Sequence, residues 1–464
     1  MNPSSDLLTP PLTAMREPVR QGQTRPLAWR LAQLNRLAAL LDAAADALPQ
    51  ALAADLSKPA LEAVLELGAV RQELGLTRRR LGRWMRATPL GLPFWMLPGR
   101  AVLQPEPLGC VLILAPWNYP FQLCLQPLVS ALAAGNTVVL KPSELAPRTA
   151  TLIADLIADH LPAETVQVVL GDGSVAAQLL EKRFDHIFFT GSSRVAGLVL
   201  AAAARHLTPV TLELGGKCPA IVLDDADLLP SARRLAWGKG LNAGQTCIAP
   251  DHLLVTPAMR EPLVAAIGAA WRHFHGPDPL ASKDLASIVN DAQFTRLEGL
   301  LQGARQRGQV LVGGRSDASR RRIEPTLLDV SDPDTDPLLQ EELFGPLLPV
   351  AVVPNLEAAL ERVRHAPLPL ATYLFGGDAA ARRRLLESTS SGSVVFDDVV
   401  LQGAVAQLPF GGIGESGMGR YHGEAGFRTF SHARTVLHRP TWIDPPFRYP
   451  PYAGNVRLMR RLLG

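Results

Sequence analysis

Cysteine is scarce in this chain, with four residues in 464: Cys110, Cys124, Cys218 and Cys247. No two of them form a CxxC pair and none stands at ligand spacing from a histidine. That excludes a disulfide scaffold and a structural zinc site and points to a reducing compartment. An excess of one charge is also missing: 46 basic residues face 43 acidic ones, a net charge of +3, with no long block of like sign. Neither a nucleic-acid binder nor a protein held on an anionic membrane by charge has that balance. No apolar run approaches the ~18–20 residues of a membrane helix, and the opening MNPSSDLLTPPLT has neither a basic nor an apolar leader segment. The tail RLMRRLLG is not a prenylation box, although it is basic and apolar enough to touch a surface. The expectation is a soluble, cytoplasmic protein. Lysine is rare as well, six of the 46 basic residues, so each lysine invites a question.

What is present is 47% hydrophobic and 19% charged residues, enough for one large or two to three ordinary domains. From about Arg20 to Arg86, apolar residues at three and four residue spacing (Leu31, Leu34, Leu37, Leu40, Leu41) mark amphipathic helices. Residues 88–109 are crowded with Pro and Gly and suit a connector or an edge hairpin. Short apolar runs then alternate with helical stretches: VLILA (111–115), TVVL (137–140), VQVVL (166–170), HIFF (186–189) and VTLEL (210–214). Continuous apolar strands between helices predict an α/β fold with a doubly wound parallel sheet, which binds ligands at the carboxyl ends of its strands. CPAIVL and HLLV, each followed by a helical stretch, predict a second α/β domain, and an extended, Pro-rich tail follows Ser431.

Two stretches match a dinucleotide fingerprint. Gly171, Gly173 and Ala176 follow a strand and open a helix, but a lone match of this kind reads as an ordinary strand-to-helix turn. Gly412, Gly414 and Gly417 have neither strand before nor helix after and are set aside. His273 and His275 lack a third partner, so no metal site is expected.

Seven motifs carry more weight: PWNYP (116–120), KPSE (141–144), FTGSSRVAG (189–197), ELGGK (213–217), GQTC (244–247), EELFGP (341–346) and LPFGGIGESGMGRYHG (408–423). In this order and spacing the chain resembles the aldehyde dehydrogenase superfamily, and its class 3 type through GQTCIAPD, LTPVTLELGGK and GMGRYHG followed by FSHARTV. The resemblance implies oxidation of medium-chain aliphatic or aromatic aldehydes to carboxylic acids, with hydride transfer to a nicotinamide cofactor. It assigns Cys247 as the nucleophile, Glu213 as the general base that activates water, and Asn118 as the oxyanion donor. It further implies a modified Rossmann cofactor site, with Lys141 and Glu144 at the adenosine ribose and Gly191 and Ser192 at the pyrophosphate. Trp117, Val195, Ala196 and Leu214 complete that site, and Glu342 and Phe344 position the nicotinamide ribose and ring. Tyr119 is expected to line the substrate channel.

Glu144 repels a 2′-phosphate, which favours NAD, with NADP also accommodated. Residues 1–85 and 107–215 are expected to form the cofactor domain, 216–431 the catalytic domain, and 86–106 with 432–464 a bridging and oligomerisation element of a homodimer. Glu213 argues against the CoA-acylating relatives, which lack the base. Cys247, Glu213 and Asn118 together argue against a non-catalytic nucleotide-binding protein. Four positions depart from the family pattern: Ser193 and Ala196 in the turn FTGSSRVAG, Asp397, whose charge would be costly if buried alone, and His252, expected on a packing surface.

Overall fold

The computed structural model describes Leu8 and residues 11–444, 446–452 and 455–463. Two parallel sheets organise it. In the first, the strand Cys110–Leu114 lies centrally, flanked on one side by Thr137–Lys141 and Val166–Val168 and on the other by His186–Thr190 and Val210–Glu213. Every residue of Cys110–Leu114 and Thr137–Lys141 is buried, as continuous apolar runs covered on both faces must be. The chain steps outward from the centre to Val166–Val168, then returns to the other side. This leaves a crevice between the carboxyl ends of Cys110–Leu114 and His186–Thr190, the switch point where doubly wound sheets bind ligands.

Helices seal both faces. The helix Gln122–Ala133 packs its length into the core with Leu34, Leu37 and Leu74 of the N-terminal helices. Ser193–Ala204 covers the opposite face, where Ala196 and Val199 join Leu112 and Phe189. The expected strand over 166–170 ends at Val168, beyond which Leu170 faces solvent at the sheet edge.

The second sheet has seven strands: Val310–Val312, Thr326–Val330, Leu347–Val352, His252–Val255, Pro219–Val222, Ala371–Phe375 and Ser393–Phe396, parallel except for the first. A third, antiparallel sheet joins Thr88–Leu90, Arg100–Pro107 and Ser431–His438, so the Pro-rich segment folds as a hairpin over which the C-terminal strand pairs at eight positions. The tail, read as extended, includes a helix at Asn455–Leu463, where the prolines cease and Arg, Leu and Met, good helix formers, take over.

The segment Gly412–Gly417, set aside as a fingerprint, has a structural use. Gly417–Met418 adds an antiparallel strand to the edge of Val210–Glu213, with Gly417 opposite Glu213. Gly417 has φ +137°, and a Cβ there would stand 2.2 Å from the carbonyl oxygen of Leu212. Only glycine allows that approach.

Candidate active site

Three chain segments meet at the carboxyl end of the first sheet. The loop after Leu114 carries Trp117, Asn118 and Tyr119. Asn118 is buried; its side-chain amide donates to the carbonyl of Gln245 at 3.2 Å, leaving its second N–H for another acceptor. The Tyr119 hydroxyl bonds Thr246 Oγ1 at 2.6 Å. The loop is thus tied directly to the segment that bears Cys247.

That segment turns tightly. Asn242, Ala243 and Gly244 all have positive φ (48°, 51° and 73°), and a Cβ on Gly244 would stand 2.3 Å from the Gly345 carbonyl. Asn242 and Ala243 are left-handed without being glycine, so the surroundings must hold them there. The Asn242 side chain does so in part, donating to Gln245 O at 3.1 Å, while Gln245 Nε2 returns to Asn242 O at 2.9 Å. Cys247 emerges half-buried from this turn, its sulfur facing the backbone N–H groups of Cys247 and Ile248. Burial pushes its thiol up to about 12, the nearby Glu342 and Glu213 carboxylates add to this, and the two N–H groups oppose it.

Glu213 closes the strand Val210–Glu213 and is 3% exposed. Both its carboxylate oxygens lack a hydrogen-bond partner. Burial raises its pKa well above the ordinary carboxylate range, with Arg420 opposing weakly. Glu213, Cys247 and Tyr119 open on one cavity of about 410 Å³, otherwise walled mainly by apolar groups such as Leu65, Trp237, Leu401 and Phe410.

A second crevice of about 300 Å³ lies beside the first and is lined by Ser193, Gly215, Gly216, Lys217 and Glu342. Gly191 follows the strand His186–Thr190 and donates its N–H to Glu213 O at 3.0 Å. A Cβ on Gly191 would strike the Phe189 ring at 2.5 Å, and one on Gly215 would strike the Glu342 carboxylate at 2.2 Å. Ser192 caps the helix Ser193–Ala204, accepting from Val195 N at 3.5 Å. Ala196 and Leu214 are buried in the core beneath. Trp117 and Phe344 meet edge to face, ring centroids 5.5 Å apart. Lys141 Nζ lies 3.0 Å from Glu144 Oε2, and the Glu144 side chain is 41% exposed. The structure therefore gathers Cys247, Glu213 and Tyr119 around one cavity, with Asn118 hydrogen-bonded beside them. Glu342 lies in the adjoining crevice, and the Lys141–Glu144 pair borders neither.

The aldehyde dehydrogenase family model matches residues 12–436 of the chain. The human aldehyde dehydrogenase family 3 member B1 is 45% identical over 99% of this chain and 97% of its own length. The chain belongs to the aldehyde dehydrogenase family. Among solved structures, Staphylococcus aureus AldH in a substrate-bound state superposes with TM-score 0.94 at 36% identity, covering 100% of both chains. The glyceraldehyde-3-phosphate dehydrogenase GapN of Methanocaldococcus jannaschii, complexed with NADP, superposes with TM-score 0.82 at 25% identity over 92% of this chain and 93% of its own.

Three of the four departures from the family pattern have local explanations. Asp397 is not a buried lone charge: it pairs with Arg382 at 2.6 Å and accepts from Gly376 N at 2.9 Å, with its side chain 42% exposed. Its φ of 57° suits Asp as it suits Asn. Ala196 packs its methyl into the core. His252 borders the second crevice beside the Lys217–Asp251 ion pair, and burial pushes its pKa down to about 3.

Sequence reasoning did not single out Lys58, Glu62, Glu66, Gly68 or Tyr421, all of which border the site or the loops that build it. For Lys58 a signal existed in the rarity of lysine: it and Lys239 are buried.

Proposed function

We propose that this aldehyde dehydrogenase oxidises medium-chain aliphatic or aromatic aldehydes to carboxylic acids through a covalent thioester on Cys247. The observation that carries the reading is the joint exposure of the Cys247 thiol and the unpartnered Glu213 carboxyl to one apolar cavity of about 410 Å³. In aldehyde dehydrogenases, NAD or NADP supplies the hydride acceptor. The fit to such a cofactor rests on the capped helix start at Ser192, the close turns at Gly191 and Gly215, and the aromatic pair Trp117–Phe344 beside Glu342. A helix N-terminus suits the pyrophosphate charge. Glu144, near the adenosine end, favours NAD over NADP by repulsion of a 2′-phosphate.

The thiolate of Cys247 attacks the aldehyde carbonyl and places negative charge on the former carbonyl oxygen. The free N–H of the Asn118 amide and the Cys247 backbone N–H are the donors for that charge; losing one such donor costs on the order of 100- to 1,000-fold in rate. Departure of hydride from the tetrahedral carbon leaves an acyl thioester on Cys247. Glu213, once deprotonated, takes a proton from water as the water oxygen attacks the thioester, releasing the acid and the thiolate. Tyr119, held by Thr246, walls the channel between them.

The third sheet supports self-association: Leu90, Phe94, Trp95, Leu97 and Leu437 are all exposed on or beside its strands, an apolar patch suited to a second copy in a homodimer. A reducing, cytoplasmic setting is consistent with four unpaired cysteines. Among the described residues no single helix is long and apolar enough to cross a membrane.

The test is formation of reduced cofactor from NAD and NADP with hexanal and benzaldehyde. Cys247→Ala should abolish turnover, and Glu213→Gln should stall with an acyl adduct on Cys247 detectable by mass spectrometry. Turnover by Cys247→Ala, or no adduct in Glu213→Gln, overturns the assignment.

A further inference from the structure

Two carboxylates stand one turn apart on the helix Ala60–Trp84, and each reaches a different loop of the active site. Glu66 Oε2 accepts from Phe121 N at 3.2 Å and Gln122 N at 3.1 Å, at the start of the helix that follows Asn118. Its other oxygen meets Lys58 Nζ at 2.7 Å, and both side chains are fully buried (0% exposed). Lys58 Nζ donates in turn to the backbone oxygen of Asn118 at 2.6 Å and sits 3.9 Å from the centroid of the Tyr119 ring. Glu62 takes the other loop: both its oxygens lie 3.1 Å from Asn242 N, the residue at φ 48° that begins the turn into Cys247. Asn242 Nδ2 closes the circuit, donating to the same Asn118 oxygen at 2.8 Å.

A buried ion pair is a poor source of stability compared with apolar residues of the same volume. Its geometric demands, in contrast, are strict, and beyond each other Lys58 and Glu66 bond the Asn118 loop and the start of the helix after it, while Glu62 holds the turn before Cys247. We propose that Lys58 and Glu66 are positioning residues for Asn118, and Glu62 for the turn that presents Cys247, so that one helix sets the distance between oxyanion donor and nucleophile. The proposal rests on the reading of Asn118 and Cys247 given above.

Two thiol reagents separate these roles without cofactor. Attack of Cys247 on p-nitrophenyl acetate forms an S–C bond, passes through an oxyanion and expels p-nitrophenolate, leaving an acetyl thioester. Attack on iodoacetamide forms an S–C bond and expels iodide with no oxyanion. The ratio of the two rates therefore reports the donor and not the thiol. Asn118→Ala should lower the ratio by roughly 100-fold. Lys58→Met/Glu66→Gln, which removes both charges together, should lower it by about tenfold or more at a native iodoacetamide rate and an unaltered circular dichroism spectrum. Glu62→Gln should slow both reagents together.

A ratio within about twofold of native in the folded double variant overturns the proposal. If the double variant is not folded, Glu66→Gln alone, which keeps an acceptor for Phe121 and Gln122, carries the same comparison. If Asn118→Ala itself leaves the ratio native, the oxyanion assignment of Asn118 fails, and the positioning claim fails with it. If Asn118→Ala lowers the ratio and the charge variants do not, only the positioning claim fails.

Discussion

Gly68 lies in the middle of the 25-residue helix Ala60–Trp84 and borders the cavity shared by Cys247 and Glu213. A glycine there costs about 1 kcal/mol relative to alanine, and no packing contact asks for it: a Cβ at Gly68 would meet nothing within 4 Å. What the missing side chain leaves is room in the channel. Gly68→Ala should therefore stabilise the protein by about 1 kcal/mol, read as a higher urea midpoint, with little change in activity. Gly68→Leu should project a branched side chain into the cavity and displace about three methylenes of a long alkyl substrate. At about 0.8 kcal/mol per methylene this amounts to roughly 2.4 kcal/mol, or about a 60-fold fall in kcat/KM. The assay is kcat/KM for a series of straight-chain aldehydes from acetaldehyde upward. Native enzyme should gain with chain length, and Gly68→Leu should plateau early while acetaldehyde is unchanged. If Gly68→Leu keeps the native chain-length dependence, the alkyl chain does not run along this helix. If Gly68→Ala is destabilised, a packing role outweighs the helix penalty.

Two further changes test other parts of the structure. If Glu144 faces the adenosine ribose as proposed, Glu144→Gln should raise kcat/KM for NADP relative to NAD by about fivefold, equivalent to about 1 kcal/mol at partly exposed sites; an unchanged ratio would place the 2′ position away from Glu144. Glu73 is held up to about 7 by burial, against a hydrogen bond from Gly423 N. A carboxyl whose pKa is raised on folding stabilises fully below its unfolded value near 4.5 and loses that contribution as pH rises through 7. Glu73→Gln, which keeps an acceptor for Gly423, should abolish a decline of roughly 3 kcal/mol between pH 5 and pH 9 in urea unfolding; equal slopes in native and variant would refute it.

The parallel strands of the first sheet, and two of the seven in the second, are legible because two-sided burial writes itself as continuous apolar runs, and Cys110–Leu114 and Thr137–Lys141 are visible in the sequence almost to the residue. The site is not legible in that way. Asn118 before Tyr119 and Pro120 looks like a turn residue, and only the ordered motifs single it out. Glu62 and Glu66 look like a solvated helix face, because the groups that bury them arrive from distant parts of the chain. Asn242, the partner of Glu62, is 180 residues away. Asp397 shows the converse: a charge that looks costly in sequence is relieved by Arg382, which no periodicity reveals.

The electrostatics of the site lead to a last test. Burial is the largest influence on the Cys247 thiol, followed by the charges of Glu342 and then Glu213. Glu342 is itself pushed up to about 8 by burial, and Glu213 is raised well above the ordinary range. Near neutral pH the thiol and Glu342 then hold their protons, and as pH rises past 8 ionisation of Glu342 makes the thiol harder to ionise. Glu342→Gln should therefore shift the pH profile of iodoacetamide alkylation of Cys247 to lower pH. Because burial remains, the midpoint should stay above the ordinary thiol value of 9. Glu213→Gln should shift it in the same direction by less. A profile unmoved in Glu342→Gln would show that its carboxylate does not act on the sulfur. Since the thiolate and not the thiol reacts with oxidants, the same burial that slows Cys247 between turnovers also shields it from oxidation.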